Sequence, residues 1–265
     1  MGKIVSVASN KGGVGKTTVA VNLGYALQNR GFRVLVVDVD HQCNATKHIL
    51  GQDPGSHALT LKNAFTPGQP FESLIFHTPS LDLLANKEEM AVFELELNQG
   101  FPDSYHILGE LWRPFFIEAY DFVLVDCPPN IGAFTMSALL MSDAVLIPVA
   151  AGEIRAVDGM VRMIEMAESL RGSSGKTLSN PDLKHVHAIV NKVDRRTASG
   201  RACYDVLVKT FGPGLLLPTP LSLNEPVRQS EAVCKPVIQY DPKCAASVQF
   251  RKLAVDFLNI FNKEE

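Results

Sequence analysis

Short unbroken apolar runs alternate along this chain with stretches in which apolar residues recur at every third or fourth position. Lys3–Ser9 (KIVSVAS), Arg33–Asp38 (RVLVVD), Leu81–Leu84, Phe122–Asp126 (FVLVD), Ala144–Val149 (AVLIPV) and His187–Val190 have strand length. They lack the apolar and polar alternation of a sheet with one wet face, so they are predicted to be strands buried on both sides. Thr17–Arg30 carries Val19, Ala20, Leu23, Ala26 and Leu27 at helical spacing, with Gly31 where a left-handed cap is wanted. Val248–Phe261 repeats that spacing and predicts an amphipathic helix docked on the core. The alternation predicts an α/β fold: a single domain over residues 1–265, a mostly parallel twisted sheet with helices on both faces, and ligands at the carboxyl ends of the strands. Chemistry is expected after Ser9, Asp38 and Asp126. Gly51–Gln69 and Arg171–Asp182, rich in Gly, Pro, Ser and Thr, read as surface loops.

Composition narrows this only slightly. The chain has 265 residues, 46% of them apolar, enough for one large core. The longest apolar stretch, Ala138–Ala151, is broken by Ser142 and Asp143 and falls short of the roughly 20 residues that span a bilayer. A first strand beginning almost at Met1 leaves no room for a secretory leader, and a cytosolic protein is expected. Five cysteines, widely spaced and never C-x-x-C, read as reduced, non-ligating thiols. Charge is uneven: 13 basic against 20 acidic residues up to Leu183, then 12 against 8 from Lys184 onward. A basic final third is either a polyanion-binding face or an ordinary solvated surface.

The strongest chemical signal is Asn10–Thr18, NKGGVGKTT, lying between the first predicted strand and the first helix. Glycines there let backbone N–H groups approach phosphate oxygens. Lys16 supplies positive charge to the β and γ phosphates and Thr17 a hydroxyl for Mg²⁺. Lys11, Gly12, Gly13, Val14, Gly15, Lys16, Thr17 and Thr18 are therefore the expected ATP-contacting set. The ordinary phosphate-loop pattern begins with glycine where this chain has Asn10, and Lys11 is an additional cation.

With KGGVGKTT in place, the sequence resembles the ParA/MinD family of dimerising ATPases, and within it the ParA/Soj branch, over nearly the whole chain. The resemblance implies that Lys11 reaches the partner's nucleotide across a two-fold interface. Asp38–Thr46 (DVDHQCNAT) is similar to the family segment D-x-D-P-Q-G-N-A-T, with His41 for proline and Cys43 for glycine. It implies that Asp40 positions the attacking water and that Asp38 lies near the Mg²⁺ shell. Alone, His41 reads as a loop residue or as a proton-transfer or metal group. Asp126-Cys127-Pro128-Pro129 resembles the D-x-P-P segment whose aspartate holds the metal's water, and Cys127 reads as packing rather than a ligand.

Asn191, ending the predicted strand at Val190, stands where relatives read the adenine base. Pro226–Ala232 and Lys235–Pro242 resemble ParA segments. The implied activity is ATP hydrolysis to ADP and phosphate, serving an ATP-dependent homodimer on nonspecific DNA that positions a plasmid, chromosome origin or protein assembly. A ParB-like partner triggers release, and Arg195, Arg196, Arg228, Lys235 and Arg251 are candidate DNA contacts. The phosphate loop begins too early for a preceding helix-turn-helix domain, which disfavours sequence-specific repression. Two alternatives stand beside this: a MinD-like membrane-associated regulator, disfavoured by the acidic end Asn262–Glu265, and a P-loop metabolic ligase or amidotransferase.

Overall fold

A computed structural model describes residues 1–65, 68–152, 154–172 and 178–262, without the side chains of 154–156. Parts of both expected surface loops, 66–67 and 173–177, and the acidic end at 263–265 lie outside the described residues. Among the described residues, seven strands form one sheet: β1 Lys3–Val7, β2 Val34–Asp38, β3 Ile75–His77, β4 Asp82–Leu84, β5 Phe122–Asp126, β6 Ala144–Ala150 and β7 His185–Asn191. Their order is β3-β4-β2-β5-β1-β6-β7, parallel except for β3, which runs antiparallel to β4. The helices are α1 Lys16–Gln28, α2 Asn44–Leu50, α3 Met90–Gln99, α4 Ile107–Ala119, α5 Ala133–Met141, α6 Ile154–Arg171, α7 Ala198–Leu215, α8 Glu225–Ala232, α9 Val237–Tyr240 and α10 Ala245–Phe261.

All six predicted strands form, because their uniformly apolar sequence is stable only with both faces covered. Successive residues point to opposite faces, so neighbours divide between two cores. Ile4, Leu35 and Val37 join Trp112, Phe116 and Phe134 under α3 to α7. Val5, Val34 and Val36 join Phe250, Leu253 and Phe257 under α1, α2, α9 and α10. Each fully buried large side chain contributes about 1.5–3 kcal/mol by leaving water. The C-terminal helix packs as expected and starts three residues earlier, at Ala245, where the Cys244 sulfur caps it by accepting from the Ser247 amide. Gly31 is left-handed, φ 93°, as its place after α1 demands.

Two features differ from the sequence reading. The short β3 was not anticipated: three residues carry too little pattern to register, and their pairing with β4 is what makes them a strand. The expected loop Gly51–Gln69 is not wholly on the surface, for Leu61 and Ala64, on a 3-10 turn over Leu61–Phe65, are core residues. Among the described residues, no helix is long and apolar enough to cross a membrane.

Parallel registry sets the site. Val7 and Asp38 both stand opposite Asp126, which levels the carboxyl ends of β1, β2 and β5. After β1 the chain moves to one side of it, to β2, and later crosses to β6 on the other, so the loop leaving β1 sits where strand order reverses.

Candidate functional site

The loop Ala8–Gly15 leaves β1 and turns into α1 through Gly13 (φ 76°) and Gly15 (φ 95°), conformations that glycine adopts without the cost a side chain imposes. A Cβ at Gly15 would also run into the Asn191 amide, so the loop passes against the end of β7 at a point only glycine fits. Just beyond it, α1 directs its first backbone N–H groups, with the positive end of its dipole, toward the same space.

Thr17 Oγ1 donates to Asp126 Oδ2 at 2.6 Å, bringing residues 109 positions apart into one pair. Asp126 is fully buried and its other oxygen, Oδ1, has no hydrogen-bond partner. Burial above all, then the charge of Asp38, pushes the Asp126 carboxyl well above the usual carboxylate range, against the Thr17 hydrogen bond and Lys16. Lys16 is itself buried, which lowers its ammonium pKa, while Asp126 and Asp40 pull it back up. Its Nζ donates to the Lys11 carbonyl at 3.3 Å.

The turn after β2 is built on Asp38, whose two oxygens accept the Asp40 amide at 3.1 Å and the Thr46 amide at 2.8 Å. Burial pushes this carboxyl up to about 7, opposed by the Thr46 amide. Both Asp38 oxygens are thus engaged by backbone, whereas Asp126 keeps one buried oxygen without a partner. Asp40 follows at the mouth, 4% exposed. Its Oδ1 accepts the Gln42 amide at 3.0 Å and its carbonyl accepts from Asn86 Nδ2 at 3.0 Å. His41 lies beside it, Nδ1 to Oδ1 3.9 Å, on a half-exposed loop. Cys43 takes the left-handed position, φ 56°, which explains why the resembling segment has glycine there. Burial pushes its thiol up to about 12. Cys127 is buried and packs with its Sγ toward the Val125 carbonyl. All five cysteines are free, and the described residues hold no cluster of three or more His, Cys, Asp or Glu suited to a metal.

These groups open into a cleft of about 720 Å³, walled by Lys16, Asp40, Asn191, Leu223, Val227 and Phe250, among others. Asn191 is buried at its far wall, with Nδ2 donating to the Val14 carbonyl at 2.8 Å and Oδ1 accepting the Lys192 amide at 2.8 Å. Three partners were not visible in the sequence. Lys192 Nζ donates to the Gly13 carbonyl at 2.6 Å. Glu231 accepts from Thr18 Oγ1 at 2.5 Å. Asn22 accepts the Val237 amide at 2.7 Å, tying α1 to α9. The presence of Glu231 and Val237 in ParA-like segments hinted that those stretches matter, without saying what they touch.

The expected DNA-contacting residues are all exposed, on the β7–α7 loop (Arg195, Arg196), α8 (Arg228), the α8–α9 loop (Lys235) and α10 (Arg251). Several have local partners. Arg196 forks onto Asp194, Arg228 pairs with Glu225, Arg251 donates to the Pro242 carbonyl, and Arg195 lies over the Tyr204 ring at 5.1 Å. Arg228 also lines the cleft.

A parallel sheet whose reversal point carries a glycine loop, a buried lysine and a Thr–Asp pair defines a P-loop nucleotide-binding protein. A family model described as an AAA domain matches residues 2–184. Over 259 residues the chain is 31% identical to the chromosome partitioning protein ParA of Caulobacter vibrioides, covering 97% of this chain and 94% of that one. It is 31% identical to the sporulation initiation inhibitor protein Soj of Bacillus subtilis, covering 96% and 97%. Among solved structures, the septum site-determining protein MinD of Pyrococcus horikoshii, complexed with Mg-ADP, is similar at a TM-score of 0.71 and 26% identity, covering 96% and 95%. The chain belongs to the ParA/MinD family of P-loop ATPases, on the side of its ParA/Soj chromosome-partitioning members.

Proposed function

We propose that this chain is an ATP-dependent switch: it binds Mg²⁺ and ATP, dimerises, holds DNA without sequence preference, and releases it when a ParB-like adaptor on a cargo stimulates hydrolysis. The observation that carries the nucleotide half is the Thr17–Asp126 pair with the unpartnered Asp126 Oδ1 behind it. Three carboxylates and one ammonium converge there with little water, an arrangement that is unfavourable unless a cation joins it. Mg²⁺ fits: Thr17 and Asp126 would hold it or its waters, with Asp38 setting the turn and adding negative charge. Bound there, the metal neutralises phosphate charge.

Lys16 places its ammonium on the phosphates, and the Gly12–Thr18 backbone receives them. Asp40 sits at the mouth of the cleft with its carboxylate fixed by the Gln42 amide, which suits it to orient a water in line with the terminal phosphate. Asn191 retains one amide proton beyond its bond to Val14, and we assign that proton to the purine edge. Lys11, half-buried where the loop begins, is assigned to the partner's nucleotide in the dimer. Exposure of Arg195, Arg196, Arg228, Lys235 and Arg251 supports a phosphate-binding surface that dimerisation would double. A cytoplasmic, nucleoid-associated location follows from that reading.

The names of the relatives support partitioning over other uses of the same loop. Cosedimentation with DNA of unrelated sequences, under ATP, ADP or no nucleotide and at two salt concentrations, tests it. Binding in ATP alone, weakening steeply with salt, is the expected outcome; equal binding in all three states would sink it.

A further inference from the structure

Resting on the nucleotide reading above, we infer that Lys192, acting with its neighbour Asn191, clamps the phosphate loop from outside and presets its amides for phosphate, which makes Lys192 a positioning residue. Two consecutive residues at the end of β7 hold two consecutive carbonyls of a loop almost 180 residues earlier: Lys192 Nζ on Gly13 at 2.6 Å and Asn191 Nδ2 on Val14 at 2.8 Å. A trans peptide unit is planar, with its C=O and the following N–H pointing in opposite directions. Drawing the Gly13 carbonyl toward Lys192 therefore turns the Val14 N–H the other way. Drawing the Val14 carbonyl toward Asn191 does the same for the Gly15 N–H. The two bonds fix the orientation of two amides that a glycine-rich segment would otherwise sample freely.

The clamp is itself held. Asn191 pairs with Ala150 in the sheet, its carbonyl accepts the Ala151 amide at 2.8 Å, and its Oδ1 accepts the Lys192 amide. Lys192 sits in the left-handed region, φ 55°, a conformation that side-chain-bearing residues rarely adopt and that persists only where surroundings enforce it. That twist belongs to the turn from which its side chain reaches the loop. Its exposure rules out a packing role, and the 2.6 Å contact is a charge-assisted hydrogen bond to a neutral acceptor.

Preset amides lower the entropic cost of binding any phosphate chain, whatever base it carries. Titration calorimetry of the full chain with Mg²⁺-ATP and with Mg²⁺ and inorganic tripolyphosphate separates this from base recognition. Lys192→Met, which keeps the stem and removes the ammonium, is expected to weaken both ligands by the same factor, about tenfold, with Lys192→Arg restoring most of it. Loss confined to ATP would place Lys192 at the nucleoside end, and no loss for either ligand would remove its role; both overturn the clamp. A wild type blind to both ligands would overturn the nucleotide reading itself, and the clamp with it. As a check independent of ligand, amide exchange at Val14 and Gly15 should quicken in Lys192→Met while β5 amides stay protected. Unchanged exchange at the loop, or quickening throughout the sheet, would contradict it.

Discussion

Lys16 is the residue on which phosphate binding turns, because it is a buried cation of the cleft whose charged form Asp126 and Asp40 both favour. Lys16→Ala leaves those carboxylates without it and the phosphates without their main fixed charge. Nucleotide affinity should fall by at least about a hundredfold, the equivalent of ~3 kcal/mol, as read by calorimetry. Gly15→Ala should act through the backbone instead. At φ 95°, with the Asn191 amide where the methyl would go, the loop must shift. Affinity should drop by about tenfold or more while the far-ultraviolet circular dichroism stays that of the wild type. A Gly15→Ala variant that binds normally would show that the loop tolerates rearrangement.

At the scale of elements, helices α4 and α5 cover the sheet face away from α1, and Trp112 is the centre of that layer. It is fully buried, meets Phe65, Phe71 and Phe116 at ring distances of 5.2–6.0 Å, and donates its indole N–H to the Ala64 carbonyl at 3.4 Å. Trp112→Ala should cost about 3–5 kcal/mol, visible as a lower urea midpoint, because the cavity spans two helical turns and a loop that cannot close together. Nucleotide binding by the fraction still folded should be unaffected.

The elements also show what a sequence can and cannot carry. Strands β2 and β5 and their terminal aspartates were legible because each is a contiguous apolar run ending in a charge, a local signal for a buried strand at a sheet's active edge, and β1 was legible as an apolar run stopping at a glycine-rich loop. The phosphate loop was legible for the same reason: its residues are adjacent in sequence. The Thr18–Glu231 and Lys192–Gly13 contacts were not, since each joins positions some 180 or more apart and neither residue type at its own place is unusual. Asp38 illustrates an intermediate case. Its place at the site was readable, but that two backbone amides occupy its oxygens could be learned only from the turn itself.

For the whole molecule, the account is a cycle in which nucleotide governs assembly and assembly governs DNA. Lys11 separates the first two. Lys11→Ala keeps the intramolecular loop, Lys16 and Thr17, so monomeric ATP binding should persist within about threefold, while sedimentation in ATP should show loss of the dimer. A normal ATP dimer would remove the role across the interface. Asp40 separates binding from turnover. Asp40→Ala leaves the phosphate and metal groups in place and removes the group assigned to the water, so ATP should remain bound and the dimer should persist. The most direct test is stopped-flow release from labelled DNA after a chase of competitor DNA, with ATP present. Asp40→Ala is expected to leave at least about tenfold more slowly than the wild type; departure at the wild-type rate, with ATP still bound, would show that hydrolysis does not control release and would contradict the switch.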